Sequence, residues 1–318
     1  MASSAEDEKE EIETTAEEEE IDILSGYEEN TEEIELLHLR LKDITSLGIS
    51  RFNNLQKLCL RQNLISKIEG IETLTNLKEL DLYDNRISDI ENCELLTNLE
   101  SLDLSFNKIR DIKNLECLGN LTNIYFVQNK ITKIENLNRL TKLINLELGA
   151  NRIRVIENLE NLINLEQLWF GKNKITELQN LENLKNLKIL SIQSNRITIL
   201  KGLEGLINLE EIYLSHNGIK KLEGFDNNLK LRVIDISNNF ISKLENISHL
   251  KDLEEFWASN NQLTDFEELD SQLKNLENLT TVYFEGNPMQ SENQSTYRLK
   301  VKTYLPQLKQ IDATFVRI

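Results

Sequence analysis

One asparagine, returning every 22 residues, constrains this chain more than any other feature of it. It stands at Asn63, Asn85, Asn107, Asn129, Asn151, Asn173, Asn195, Asn217, Asn239 and Asn261, and a further copy follows at Asn287 after an interval of 26. Around it runs the unit L-x-x-L-x-L-x-x-N-x-I-x-x-I, followed by E-N/G-L-x-x-L-x-N. A fixed period of this length marks a solenoid, in which each unit is too small to bury its own leucines and stacking supplies the core. Upstream, IELLHLRLKDI at 34–44 fits the template with Lys42 in place of the asparagine, as expected of a first, sealing repeat.

The L-x-L element has the period of two of a strand with one buried face. The asparagine falls where the chain leaves that strand, and a buried amide there can satisfy the backbone of the turn and form a ladder from unit to unit. The I-x-x-I and L-x-x-L spacings suit a short extended or 3₁₀ segment on the opposite wall. The pattern therefore predicts an α/β solenoid: a right-handed leucine-rich-repeat horseshoe of about twelve 22-residue repeats, with a parallel β-sheet on the concave face. Twelve strands about 4.8 Å apart would span roughly 50 Å.

The expected domains are an acidic disordered tail at 1–33, the solenoid at 34–287 and a C-terminal helical cap at 288–318. In the cap, Tyr297, Leu299 or Val301, Leu305, Leu308 and Ile311 are spaced to lay an apolar stripe over the last coil, between Pro288 and Pro306, the only two prolines. The four extra residues before Asn287 should bulge the wall opposite the sheet. Residues 1–33 hold fifteen Asp/Glu and only Lys9, so most of the net charge of −18 belongs to the tail. Such a run reads as solvated chain, although Ile21, Ile23 and Leu24 could dock on the first repeat.

Several functions are disfavoured. The charge balance offers no basic stripe for phosphates, so nucleic acid is not an expected partner. No apolar run reaches eighteen residues, and MASSAEDEKEE is unlike a secretory signal. Three unclustered cysteines, Cys59, Cys93 and Cys117, suit a reducing compartment; nucleus and cytoplasm are the expected locations. His38 and His216 lie about eight repeats apart and His249 on the opposite wall, so they cannot share a metal or a triad. No enzyme, metal or cofactor is expected.

Departures from repetition carry the functional information. The residue between the two strand leucines, which should face out from the middle of the concave side, reads Cys59, Asp81, Asp103, Tyr125, Glu147, Trp169, Ser191, Tyr213, Asp235, Trp257 and Tyr283. Both tryptophans of the protein are in this column, and no lysine or arginine is. Two residues earlier stand Glu79, Glu211 and Glu255; two residues later come Gly149, Gly171, Ser215, Ser237 and Ser259, small enough to leave room beside the rings. Aromatics also suit strands for packing reasons alone. Trp and Tyr, however, are the usual anchors of protein interfaces, and carboxylates steer and pair with a basic partner.

The strict repeats with I-x-x-I-E-N/G-L, the cap sequence YRLKVKTYLPQLKQID (297–312), and the stretches ELGANRIRVIEN, YLSHNGI and IDATFVRI resemble the leucine-rich-repeat regulatory subunits of type-1 serine/threonine protein phosphatase. The resemblance covers residues 34–318. It implies a non-catalytic chain whose concave face grips the phosphatase catalytic subunit, with Asp103, Tyr125, Glu147, Trp169, Asp235, Glu255, Trp257 and Tyr283 in matching repeat positions; Tyr213 of the same column joins them as a partner-binding candidate. It also implies an inactive complex, any metal in the partner, a small inhibitor protein in a ternary complex, and a monomer when free. A ribonucleoprotein or axonemal scaffold built on the same repeat is the alternative.

Overall fold

The computed structural model describes residues 22–316; residues 1–21, most of the expected tail, lie outside the described residues. Twelve three-residue strands follow one another along the chain: β1 (Glu33–Glu35), β2 (Lys57–Cys59), β3 (Glu79–Asp81), β4 (Ser101–Asp103), β5 (Asn123–Tyr125) and β6 (Asn145–Glu147), then β7 (Gln167–Trp169), β8 (Ile189–Ser191), β9 (Glu211–Tyr213), β10 (Val233–Asp235), β11 (Glu255–Trp257) and β12 (Thr281–Tyr283). Each pairs in parallel with the next, and the sheet runs in chain order to β13 (Gln310–Ile311), then turns back antiparallel in β14 (Thr314–Phe315). The central residue of every strand from β1 to β12 is buried. The expected horseshoe of leucine-rich repeats is the fold.

The repeat period follows from two corners. At the first, the residue before each ladder asparagine is left-handed, with φ near +55° at Gln62, Asp84, Phe106, Gln128 and Ala150. That conformation is unusual outside glycine. It turns the asparagine inward, where the amide is held on both sides. Asn151 is typical: Nδ2 donates to the carbonyls of Phe126 (2.8 Å), Leu148 (3.1 Å) and Gly149 (3.2 Å), and Oδ1 accepts from the amide of Ile131 (3.0 Å). The ladder therefore passes from amide to backbone, not amide to amide, and each asparagine satisfies groups of two rungs. The second corner is the N/G of the E-N/G-L motif. Asn92, Asn114, Asn136, Asn158, Asn180 and Asn246 have φ near +60°, and Gly70, Gly202 and Gly224 near +81°. Only residues that tolerate positive φ fit, which explains the alternation. Where asparagine is used, its Nδ2 reaches the carbonyl one rung back, as in Asn114 to Ile90 O at 2.7 Å.

The ends differ from expectation in detail. In the first rung Ile34 pairs with Leu58, so Leu39, not Lys42, takes the place of the ladder asparagine; Asn63 Oδ1 caps the amides of Leu39 and Leu41 instead. The first rung is 24 residues long, which is why a 22-residue template misplaces it. Ordered chain also begins upstream of residue 34. Leu24 is fully buried, Tyr27 packs on the core, and Asp22 pairs with Arg51 at 3.0 Å, so residues 22–33 form the seal over the first coil; Ile23 stays exposed. Among the described residues the 3₁₀ turns expected on the outer wall occur only at Thr45–Leu47 and Ile49–Arg51; in later rungs that wall is built of hydrogen-bonded turns.

At the other end the four extra residues make room for the six-residue helix α1 (Glu267–Gln272), on the wall opposite the sheet, followed after β12 by α2 (Pro288–Ser291) and α3 (Tyr297–Tyr304). Of the two alternatives in the cap stripe Val301 is the buried one, in line with Tyr297, Leu305, Leu308 and Ile311, while Leu299 is 69% exposed. The cap motif is structural. Asp312 Oδ1 accepts from the amides of Phe284 (2.8 Å) and Glu285 (3.0 Å), replacing the next strand. Tyr297 OH donates to Asp312 Oδ2 at 2.9 Å, and Arg298 donates to the carbonyls of Ile311, Thr314 and Phe315, all at 2.8 Å. Phe266, just before α1, stacks on Tyr304 of α3 with ring centroids 6.4 Å apart.

Candidate functional site

Strand register converts the sequence column into a physical one. Asp103, Tyr125, Glu147 and Trp169 are successive register partners. The line continues through Ser191 to Tyr213, Asp235, Trp257 and Tyr283. All nine candidates therefore lie on one strand face, Glu255 one column aside at the start of β11. The column also extends back to Glu35 of β1, opposite Cys59.

The aromatics are held by neighbours that sequence reasoning did not connect to them. Trp169 Nε1 donates to Asn145 Oδ1 on the preceding strand, β6, at 3.1 Å. Trp257 Nε1 donates to Glu255 Oε2 at 3.0 Å, and Tyr213 OH donates to Glu211 Oε2 at 2.7 Å. Gln310 Nε2 donates to Tyr283 OH at 2.7 Å, tying the last ring to the cap. Trp257 meets Tyr213 (centroids 6.3 Å) and Tyr283 (5.8 Å) edge to face. Between Trp257, Tyr283, Ser237 and Ser259 opens a cleft of about 290 Å³, where the small residues of the third column leave space.

The aspartates do two jobs. Asp81, Asp103 and Asp235 each accept from the amide two residues on, at 3.0, 2.8 and 2.9 Å, steadying the strand exit with one oxygen. The D-x-S spacing of Asp103 and Asp235 is the sequence trace of that turn. Glu147 makes no such bond. Burial between Tyr125 and Trp169 raises its pKa, against a hydrogen bond from Asn145 that lowers it, and Asp103 raises it further. Burial first, then Glu211, raises the Tyr213 hydroxyl.

Charge is divided along the face. At β2 and β3, Lys57 pairs with Glu79 (3.1 Å) and Arg61 with Asp81 (3.4 Å). From β4 to β12 the three outward columns contain Asp103, Glu147, Glu211, Asp235, Glu255 and Glu285 and no lysine or arginine. That stretch is an acidic, aromatic strip without its own counter-cations. Cys93 is buried, with its thiol pushed up to about 12 by desolvation, and desolvation raises Cys59 as well; Cys117 is exposed. Among the described residues no group of His, Cys, Asp and Glu is placed to hold a metal ion, and no helix is long and apolar enough to cross a membrane.

The family model described as "Leucine Rich repeats (2 copies)" matches residues 53–94, 75–117, 185–227 and 229–271, and the one described as "Leucine-rich repeat" matches 100–204. Together with the fold, these place the chain in the leucine-rich-repeat family. An internalin of Listeria monocytogenes superposes with a TM-score of 0.77 at 24% identity, covering 91% of this chain and 88% of that one. A leucine-rich-repeat protein of Leptospira interrogans gives 0.67 at 27%, covering 82% and 73%. Both are likenesses of fold.

Within the family, a shorter stretch is similar to named phosphatase subunits. It is 59% identical over 44 residues to the protein phosphatase 1 regulatory subunit SDS22 of Schizosaccharomyces pombe, covering 14% of this chain and 13% of that protein. The human protein phosphatase 1 regulatory subunit 7 is 56% identical over 45 residues, covering 14% and 12%. The matched stretch thus spans about an eighth of the length of these relatives.

Proposed function

We propose that this chain is a non-catalytic regulatory subunit of type-1 serine/threonine protein phosphatase and binds the catalytic subunit with its concave strand face. The observation that carries this is the strip from Asp103 to Tyr283: five aromatic and four carboxylate side chains would mean little scattered over a surface, but here all nine share one face of the sheet. The similarity to named phosphatase 1 regulatory subunits supplies the partner. Tyr125, Trp169, Tyr213, Trp257 and Tyr283 bring contact area, and for the last four at low entropic cost because their rings are already held. Asp103, Glu147, Asp235 and Glu255 present carboxylates to lysines and arginines of the partner, which steers approach and fixes register.

The resemblance to phosphatase regulatory subunits extends this reading to that of a holder: the catalytic subunit stays inactive in the complex, any metal is the partner's, and a small inhibitor protein joins as a third member. The free chain acts as a monomer, in nucleus and cytoplasm, with neither nucleic acid nor membrane as its partner. Affinity purification from a eukaryotic lysate tests the partner: the catalytic subunit should be retained by the wild-type chain. Recovery of ribonucleoprotein or axonemal components without it would favour the other scaffold.

A further inference from the structure

The residue directly after the ladder asparagine is a cation in six consecutive rungs: Arg86, Lys108, Lys130, Arg152, Lys174 and Arg196. An overall charge of −18 conceals this row. Its backbone is fixed, since each amide donates to the isoleucine carbonyl one rung back at 2.8 Å, from Arg86 to Ile65 through Arg196 to Ile175. Rungs about 4.8 Å apart set the six charges in single file over about 24 Å. None of the six forms an ion pair among the described residues. Arg110 and Arg154, two residues further on, widen the row. Of the acids on its flank, Asp89 is taken by Lys113 (2.7 Å) and Glu177 by Lys201 (3.4 Å), which leaves Asp84 and Asp111.

Like charges one rung apart repel, and the fold does not supply the counter-charge. We propose that the row from Arg86 to Arg196 is a docking edge for an extended acidic segment of a partner protein, rich in Asp, Glu or phosphorylated side chains. Its length corresponds to about seven residues of extended chain. Charge complementarity selects the sign, and three arginines in the row suit planar, bidentate pairing with carboxylate or phosphate. A nucleic acid fits less well. None of the six positions is aromatic, and the exposed ring beside the row, Phe106, is engaged by Tyr83 with centroids 4.9 Å apart; the neighbouring strand face also presents Asp103 and Glu147 to a long polyanion.

Fluorescence anisotropy of the full chain with a labelled peptide of about ten residues, alternating glutamate and phosphoserine, tests this. Binding should weaken steeply as salt rises from about 50 to 200 mM and fall roughly tenfold or more in Lys130→Glu/Arg152→Glu. Lys108→Gln/Lys174→Gln, which keeps the stems, should fall in the same direction. Three results overturn the proposal: no binding by the wild type, affinity unchanged in both variants, or equal or tighter binding of a single-stranded oligonucleotide of matched charge. A fourth is zero-length cross-linking of Lys108, Lys130 or Lys174 to Glu17–Glu20 in the free chain, which would make the occupant this chain's own acidic segment.

Discussion

Trp257 of β11 and Tyr283 of β12 meet edge to face with ring centroids 5.8 Å apart, although both point out of the core. The two rings, with Tyr213 beyond Trp257, hold one another and their hydrogen-bond partners in place without the help of the buried leucines. Trp257→Ala should therefore cost the free protein only about 1 kcal/mol, the usual worth of such aromatic contacts. Chemical denaturation of the two proteins checks this; a loss of several kcal/mol would mean that the ring is part of the core.

Glu147 gives the strip a dependence on pH. Its pKa is raised above 4.5, chiefly by burial. A raised folded-state pKa means that the folded chain binds the proton more readily than the unfolded chain does. The contribution is thus most favourable below the unfolded value and is lost as pH rises through the folded one. At neutral pH the carboxylate is a modest burden, so Glu147→Gln should leave the free chain equally or more stable while weakening its complex. Parallel melts at pH 4 and 7 and a binding isotherm decide; a variant less stable at pH 7 would contradict it.

The asparagine ladder carries backbone satisfaction across rungs. Asn151→Ala removes the acceptor for the Ile131 amide and the donor for the Phe126 and Leu148 carbonyls. Buried groups left without partners cost about 1–3 kcal/mol each, so a loss of about 3 kcal/mol is expected by denaturation. Hydrogen exchange should accelerate first at Ile131; unchanged protection there would refute the bond's importance.

One asparagine works against the fold. Asn228 occupies a position filled by leucine in the neighbouring rungs, at Leu206 and Leu250. It is 0% exposed, and although Nδ2 donates to Leu203 O (3.0 Å) and Leu206 O (2.9 Å), its Oδ1 has no partner among the described residues. Asn228→Leu should stabilise the protein by about 1 kcal/mol, since it removes an orphaned polar atom and restores the repeated packing. A destabilised variant would show that the two donated bonds matter more.

Much of this molecule is legible in its sequence because a solenoid writes its register into its period. Once Asn63 to Asn261 are counted, strand order, the buried residues and the column from Asp103 to Tyr283 all follow. What the period does not encode lies at its edges and between rungs. The first rung is 24 residues long, so Leu39 rather than Lys42 replaces the asparagine. The bond from Trp169 to Asn145 joins residues 24 apart, and nothing local in the sequence announces it. The row from Arg86 to Arg196 is written plainly after each asparagine, yet it disappears when charge is summed over the chain, because the acids of the N-terminal segment outweigh it.

The central claim is that the aromatic and acidic strip is the working surface. Its most direct measurement is the dissociation constant of purified type-1 phosphatase catalytic subunit for the wild-type chain and for Trp169→Ala/Trp257→Ala. Each anchor should cost about 2 kcal/mol or more, so the double variant should bind at least several hundredfold more weakly while its melting behaviour stays close to that of the wild type. Equal affinity of the two proteins, or no affinity in the wild type, would contradict the account.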